Sequence, residues 1–244
     1  MTATATPPNA GGAVARVRAI LALDGPLAAL LLTVFQYFLV SVSFIGCLVP
    51  AFAFEALVGW QATHLALWLG ALSLLPLVPA GYALLRSSRR LLAERGDARA
   101  GRQFWRSFAQ GCRMLWWAAL AQTVVVLLLA YDFALFGSSD AVMLLVMGAA
   151  ALAAAVLVGV CIVAAARGVQ RPIETIAVAV RVMARRPHIA LSWLLLIALG
   201  LAATTLPLAG AALPLFLPAL LGVGIHVCND ALRLPLNDET RRTP

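Results

Sequence analysis

Apolar positions fall into six long stretches, residues 27–49, 65–85, 114–136, 142–165, 189–209 and 213–231. Each has, or nearly has, the roughly 20 residues that a helix needs to cross a hydrocarbon core. The segments between them alternate in kind: 86–113 and 167–188 are dense with Arg, whereas 50–64, 137–140 and 206–212 hold none. An Arg at the centre of a spanning helix costs about 2.5–3.5 kcal/mol, and basic loops stay in the cytoplasm. The pattern predicts an all-α polytopic membrane bundle of six transmembrane helices in the bacterial inner (plasma) membrane, with both termini cytoplasmic. Residues 1–15 read as a low-complexity, disordered tail, 16–233 as the membrane domain and 234–244 as a cytoplasmic tail.

Within this frame, Asp24, Gly25 and Pro26 open the first helix, Asp as a cap and Pro in the first turn. Its apolar run exceeds the 7–15 residues of a signal-peptide core, so it reads as a retained span. Residues 13–23 carry Arg16 and Arg18 among apolar positions, as a short surface helix would. Residues 50–64 form an outer loop. Pro76 and Pro79 predict a kink or break in helix two. Residues 86–113 read as two interfacial helices broken at Gly96 and Asp97. In 167–188, Ile173, Ile176, Ala177 and Val180 share one helical face while Glu174, Arg181 and Arg185 share another. Ala151, Ala155 and Gly159 are spaced for close helix packing, and Gly210 assists an outer hairpin between the last two spans. The two Arg-rich units follow the same order of parts, and a parallel internal duplication is one reading of it.

Composition agrees. The chain is 63% hydrophobic and 11% charged, against roughly 25% charged in soluble domains. The formal charge is +8 with 18 basic residues, all Arg. Their placement matches an anionic inner leaflet, where each gains about 1 kcal/mol, and needs no nucleic acid. Cys47, Cys112, Cys161 and Cys228 have no paired spacing and read as small apolar residues.

Candidate chemistry is sparse. Arg86, Arg89, Arg90, Phe104, Trp105, Arg106 and Phe108, with Arg181 and Arg185, form a candidate docking surface, for lipid headgroups or for a protein partner. Gln36, Tyr37 and Gln122 are deep polar groups, accompanied by Ser41, Ser43 and Thr123; interhelical hydrogen bonds are their ordinary role. His226 and Asp230 stand four apart on one helical face. A relay there competes with an ion pair between Asp230 and Arg233. His64 and Asp132 sit near outer helix ends. No phosphate loop, zinc helix or nucleophile elbow occurs, so no catalytic, cofactor or metal residues are assigned and a non-enzymatic protein is expected.

The residues PAGYALLRSSRR (79–90), FWRSF (104–108), SVSFIGCLVP (41–50) and ARRPHIALSWLLL (184–196) resemble the YesL-like family of bacterial integral membrane proteins. The likeness runs over about residues 27–231. It implies a companion of carbohydrate ABC importers, with a permease or ATPase subunit as partner. The expectation is therefore an accessory subunit of such a complex; the alternative is a self-sufficient transporter of a small polar solute. Homo-oligomers fit either.

Overall fold

The computed structural model describes residues 26–93, 99–137, 139–168, 171–205 and 213–232. The tails, residues 13–23, Gly96, Asp97, Gly210 and Arg233 lie outside them. Ten α-helices occur among the described residues, with no strand: α1 (Pro26–Cys47), α2 (Val49–Leu57), α3 (His64–Ser73), α4 (Leu77–Ala93), α5 (Ala100–Met114), α6 (Trp116–Phe136), α7 (Asp140–Arg167), α8 (Pro172–Arg185), α9 (Pro187–Ala203) and α10 (Leu217–Ala231). A 3₁₀ turn, Leu213–Leu215, precedes α10.

Four stretches are long and apolar enough to cross a membrane: Leu30–Cys47, His64–Ala93, Trp116–Phe136 and Asp140–Arg167. The α8–α9 pair, bent by 97°, makes five if it counts as one span. Six spans are therefore not reached by length and composition, because α10 has only 15 residues where about 20 are needed. The outward surface of these helices is apolar, with Leu128, Leu144 and Leu195 each more than half exposed. A surface so continuously apolar is suited to lipid rather than water.

Local chemistry sets the boundaries. The second span breaks at Leu74–Pro76, as its prolines predict, and α4 restarts with the Ala80 amide donating to the Pro76 carbonyl at 3.0 Å. The Ser139 hydroxyl caps α7 by accepting from the Val142 amide at 3.3 Å. Pro stands in the first turn of α8, α9 and α10, where its missing N–H costs nothing.

Three expectations are corrected. Residues 50–64 are not simply a loop: α2 begins at Val49 with Pro50 in its first turn, and Phe54 is buried edge-on against Trp60 with ring centroids 5.2 Å apart. Helix two does not end at residue 85, since α4 continues to Ala93 with Ser87 and Ser88 buried. Residues 86–113 do hold two helices, broken between Ala93 and Ala100, but the first is the end of α4 rather than a separate helix. α4 and α5 form an antiparallel hairpin, tightest where Gly111 meets Pro79 and Tyr82; an added Cβ there would stand 3.0–3.2 Å from both.

The core is split. One cluster joins α4, α6, α7, α8, α9 and α10 around Tyr82, Leu115, Ile162, Ile189 and Trp193. A second joins α1, α4, α5 and α10 around Val40, Ala83, Phe104 and Ala219. Ala155 and Gly159 of the small-residue stripe are buried, with Gly159 facing Ala179 and Met183 of α8, while Ala151 is exposed. The two Arg-rich units are built differently, one as a hairpin and the other with α8 packed on α7 and turned sharply into α9.

α10 is held by polar contacts at both ends. Its first turn has no side-chain cap of its own. The buried Ser41 hydroxyl of α1 accepts from the Ala219 amide at 3.0 Å, satisfying one of the donors a helix start leaves open. At the other end, Arg186 Nη1 donates to the Leu232 carbonyl at 2.8 Å, a cation at the negative end of the helix dipole. Between them, buried Trp193 Nε1 donates to Asn229 Oδ1 at 2.9 Å.

Candidate functional site

Two hydrogen bonds between distant parts of the chain mark the ends of the α3–α4 and α5–α6 pair. At one end, His64 Nδ1 and Tyr131 Oη are 2.8 Å apart. At the other, Arg86 Nη1 donates to Gln110 Oε1 at 2.5 Å. Arg86 follows His64 by about 22 positions, or roughly 30 Å of kinked helix at about 1.5 Å per residue. That matches a hydrocarbon core of about 30 Å, the far boundary of which would fall at Arg86.

Below that boundary the hairpin opens into a groove of about 410 Å³ lined by Arg86, Arg90, Arg99, Arg102 and Arg106 with Gln103, Ser107 and Gln110. The helical period explains the convergence. Arg86 and Arg90 are one turn apart on α4, while Arg99, Arg102, Gln103, Arg106 and Gln110 fall on the facing stripe of α5. Arg86 is half-buried; its Nη1 also donates to the Tyr82 hydroxyl at 2.6 Å, and its guanidinium carbon lies 5.9 Å from the Tyr82 ring centroid. Ser107 is buried beside it. Arg90 lies against the Gln103 amide, whose oxygen suits its donors once turned toward them. No carboxylate is among the lining residues; Glu94 and Asp97 lie outside the described residues. Two like charges about 8 Å apart repel by roughly 2 kcal/mol at an effective dielectric of 20, so five guanidinium groups on one groove favour an anion within it.

The docking candidates separate into core and surface. Phe104 is fully buried and Phe108 packs against the second core cluster, so neither is a free contact. Trp105 is 49% exposed and stacks edge-on to both rings. Arg89, Arg90, Arg106, Arg181 and Arg185 are exposed. On α8, Ile173, Ile176 and Val180 form an exposed apolar strip beside Arg181.

The polar-pathway candidates are dispersed. Gln36 is buried and Tyr37 half-buried on α1, which packs on α4, α5 and α10. Gln122 lies on α6, its Oε1 buried without a hydrogen-bond partner. His226 Nε2 meets the Leu85 carbonyl at 2.7 Å, tying α10 to α4, and Asp230 is exposed. Of the accompanying residues, Ser41 bonds between helices whereas Thr123 donates to the Ala119 carbonyl of its own helix at 2.9 Å. A further recess of about 710 Å³ lies at the outer end of α6 and α7 and is lined mainly by apolar residues such as Trp60, Leu67 and Phe133.

The sequence reading missed Gln103, Ser107 and Gln110 as parts of the groove, and Tyr82 as the buried partner of Arg86. The signal was the four-residue step from Arg86 to Arg90 facing the stripe 99, 103, 106 and 110.

Compared with protein-family models, curated proteins and solved structures, the chain matches none.

Proposed function

We propose that this chain is a non-enzymatic accessory subunit of a bacterial inner-membrane complex, of the carbohydrate ABC importer class. It crosses six times with both termini cytoplasmic, α9 and the short α10 forming the last pair. The observation that carries the reading is the exposed Trp105 of α5, flanked along the helix by the exposed Arg102 and Arg106. A large aromatic flanked by Arg is the side-chain set enriched at the energetic centres of protein interfaces. The motifs resembling the YesL-like family narrow the complex to an importer.

The test is gentle extraction of the tagged full chain from native membranes, followed by mass spectrometry of what accompanies it. Importer permease or ATPase subunits in near-stoichiometric amount are expected, reduced at least fivefold by Trp105→Ala with Arg181→Gln and Arg185→Gln. A single species, or retention unchanged in the variant, would contradict the reading.

A second reading, a self-sufficient transporter of a small polar solute, draws on the broken α3–α4 span and the unpartnered Gln122 oxygen. Interrupted helices build the solute sites of many transporters. Flux into liposomes holding the purified chain, abolished by Gln122→Ala, is its expected signature; absence of flux for every solute tried counts against it.

A further inference from the structure

We infer that the α4–α5 groove is a specific binding site for the phosphates of an anionic inner-leaflet lipid headgroup, of the two-phosphate kind found in cardiolipin. The inference goes beyond the accessory-subunit reading and does not depend on a protein partner.

Its floor is built rather than merely charged. Arg86 is fixed by Tyr82 and Gln110 through one nitrogen, Nη1. That leaves its Nε–Nη2 edge, the planar fork that takes a phosphate by two parallel hydrogen bonds. Buried Ser107 adds a hydroxyl, and Arg90, Arg99, Arg102 and Arg106 form the walls. Five Arg along one groove of about 410 Å³ carry more positive charge than a single phosphodiester balances, which suits two joined by a short polyol.

Position selects a lipid over a soluble phosphate. The groove begins at Arg86, toward the Arg-bearing end of the His64–Ala93 stretch, which the proposed topology puts at the cytoplasmic face. Trp105, exposed and next to the groove residue Arg106 in α5, offers apolar surface to the acyl chains of a headgroup held there. Basic pockets at the cytoplasmic ends of spanning helices are recurrent sites for such headgroups. The α8 arginines differ, being exposed and not gathered into this groove, and serve as the control for simple attraction to an anionic surface.

The test uses the full chain in phosphatidylcholine nanodiscs or detergent. Native mass spectrometry and thermal midpoint are followed on adding cardiolipin, phosphatidylglycerol or inorganic pyrophosphate. The inference predicts one retained cardiolipin per chain, held at least tenfold more tightly than phosphatidylglycerol, and a raised midpoint. Arg86→Gln with Arg90→Gln should weaken retention at least tenfold, and the rim variant Arg102→Gln with Arg106→Gln several-fold. The rim pair is exposed, so it carries the test if the first variant fails to fold. Arg181→Gln with Arg185→Gln should leave retention unchanged. Equal retention in both groove variants, no preference between the lipids, or binding of pyrophosphate alone would overturn the inference.

Discussion

Arg86 and Gln110, 24 residues apart in the chain, are joined by a 2.5 Å hydrogen bond across the α4–α5 hairpin. The Tyr82 hydroxyl completes the contact at 2.6 Å. A hydrogen bond to a charged group contributes about 1.5–3 kcal/mol, and a half-buried guanidinium left without a partner costs comparably. Gln110→Leu should therefore lower unfolding free energy by about 2 kcal/mol, while Gln110→Glu, which keeps an acceptor, restores it. Thermal unfolding in detergent reads the difference; equal midpoints for all three chains would show that this contact does not hold the hairpin.

Ser41 reaches from α1 to the start of α10, and no residue near Ala219 in sequence replaces it. Ser41→Ala should cost about 1–2 kcal/mol, the range for losing a helix cap or stranding a buried donor. The loss should appear chiefly as faster hydrogen exchange at the first turn of α10. Unaltered protection there would mean that the amide finds another acceptor.

Phe104 and Trp105 are neighbours with opposite roles. Phe104→Ala removes a fully buried ring and should destabilise by about 3–5 kcal/mol. Trp105→Ala, on the exposed side, should change stability by only about 0.5 kcal/mol and register in partner association. Paired denaturation and pull-down measurements separate the two; a reversal of these phenotypes would invert the assignment of core and surface.

Cys112 provides a pH handle outside the spanning segments. Its thiol is exposed beside a small apolar recess that includes Leu75, Pro79 and Trp116. Desolvation raises its pKa above the usual thiol value, partly offset by a backbone hydrogen bond. The thiolate is the reactive form, so a raised pKa leaves less of it at neutral pH. Maleimide labelling of Cys112, in a Cys228→Ala background, should be slower than that of free cysteine at pH 7 and climb about tenfold per pH unit below its pKa. A rate at pH 7 equal to that of free cysteine would rule out the raised pKa.

How far the sequence reaches can be judged from these residues. Helical class and the break at Leu74–Pro76 follow from hydropathy and proline chemistry, both local properties. The extension of α4 to Ala93 did not, because hydropathy falls at Arg86 while the helix continues with Ser87 and Ser88 turned inward. Phe104 was grouped with exposed aromatics although Ala100, Phe104, Ser107 and Gly111 trace a buried stripe at helical spacing. The groove was hidden for a related reason. Its arginines were visible singly, but their convergence depends on α5 folding back on α4, which the small Gly111 permits. Likewise, residues 213–231 read as one span, whereas α10 covers only 15 of them behind a 3₁₀ turn.

The central claim is that the Arg-lined end of the hairpin faces the cytoplasm and the His64–Tyr131 end faces outward. Single cysteines at Gln61 and Leu92, both exposed, in a background lacking the four native ones, test it directly with a membrane-impermeant maleimide on intact cells. The account predicts that Gln61→Cys is labelled at once and Leu92→Cys only after the membrane is opened. Labelling of Leu92→Cys from outside intact cells, with Gln61→Cys protected, would contradict it.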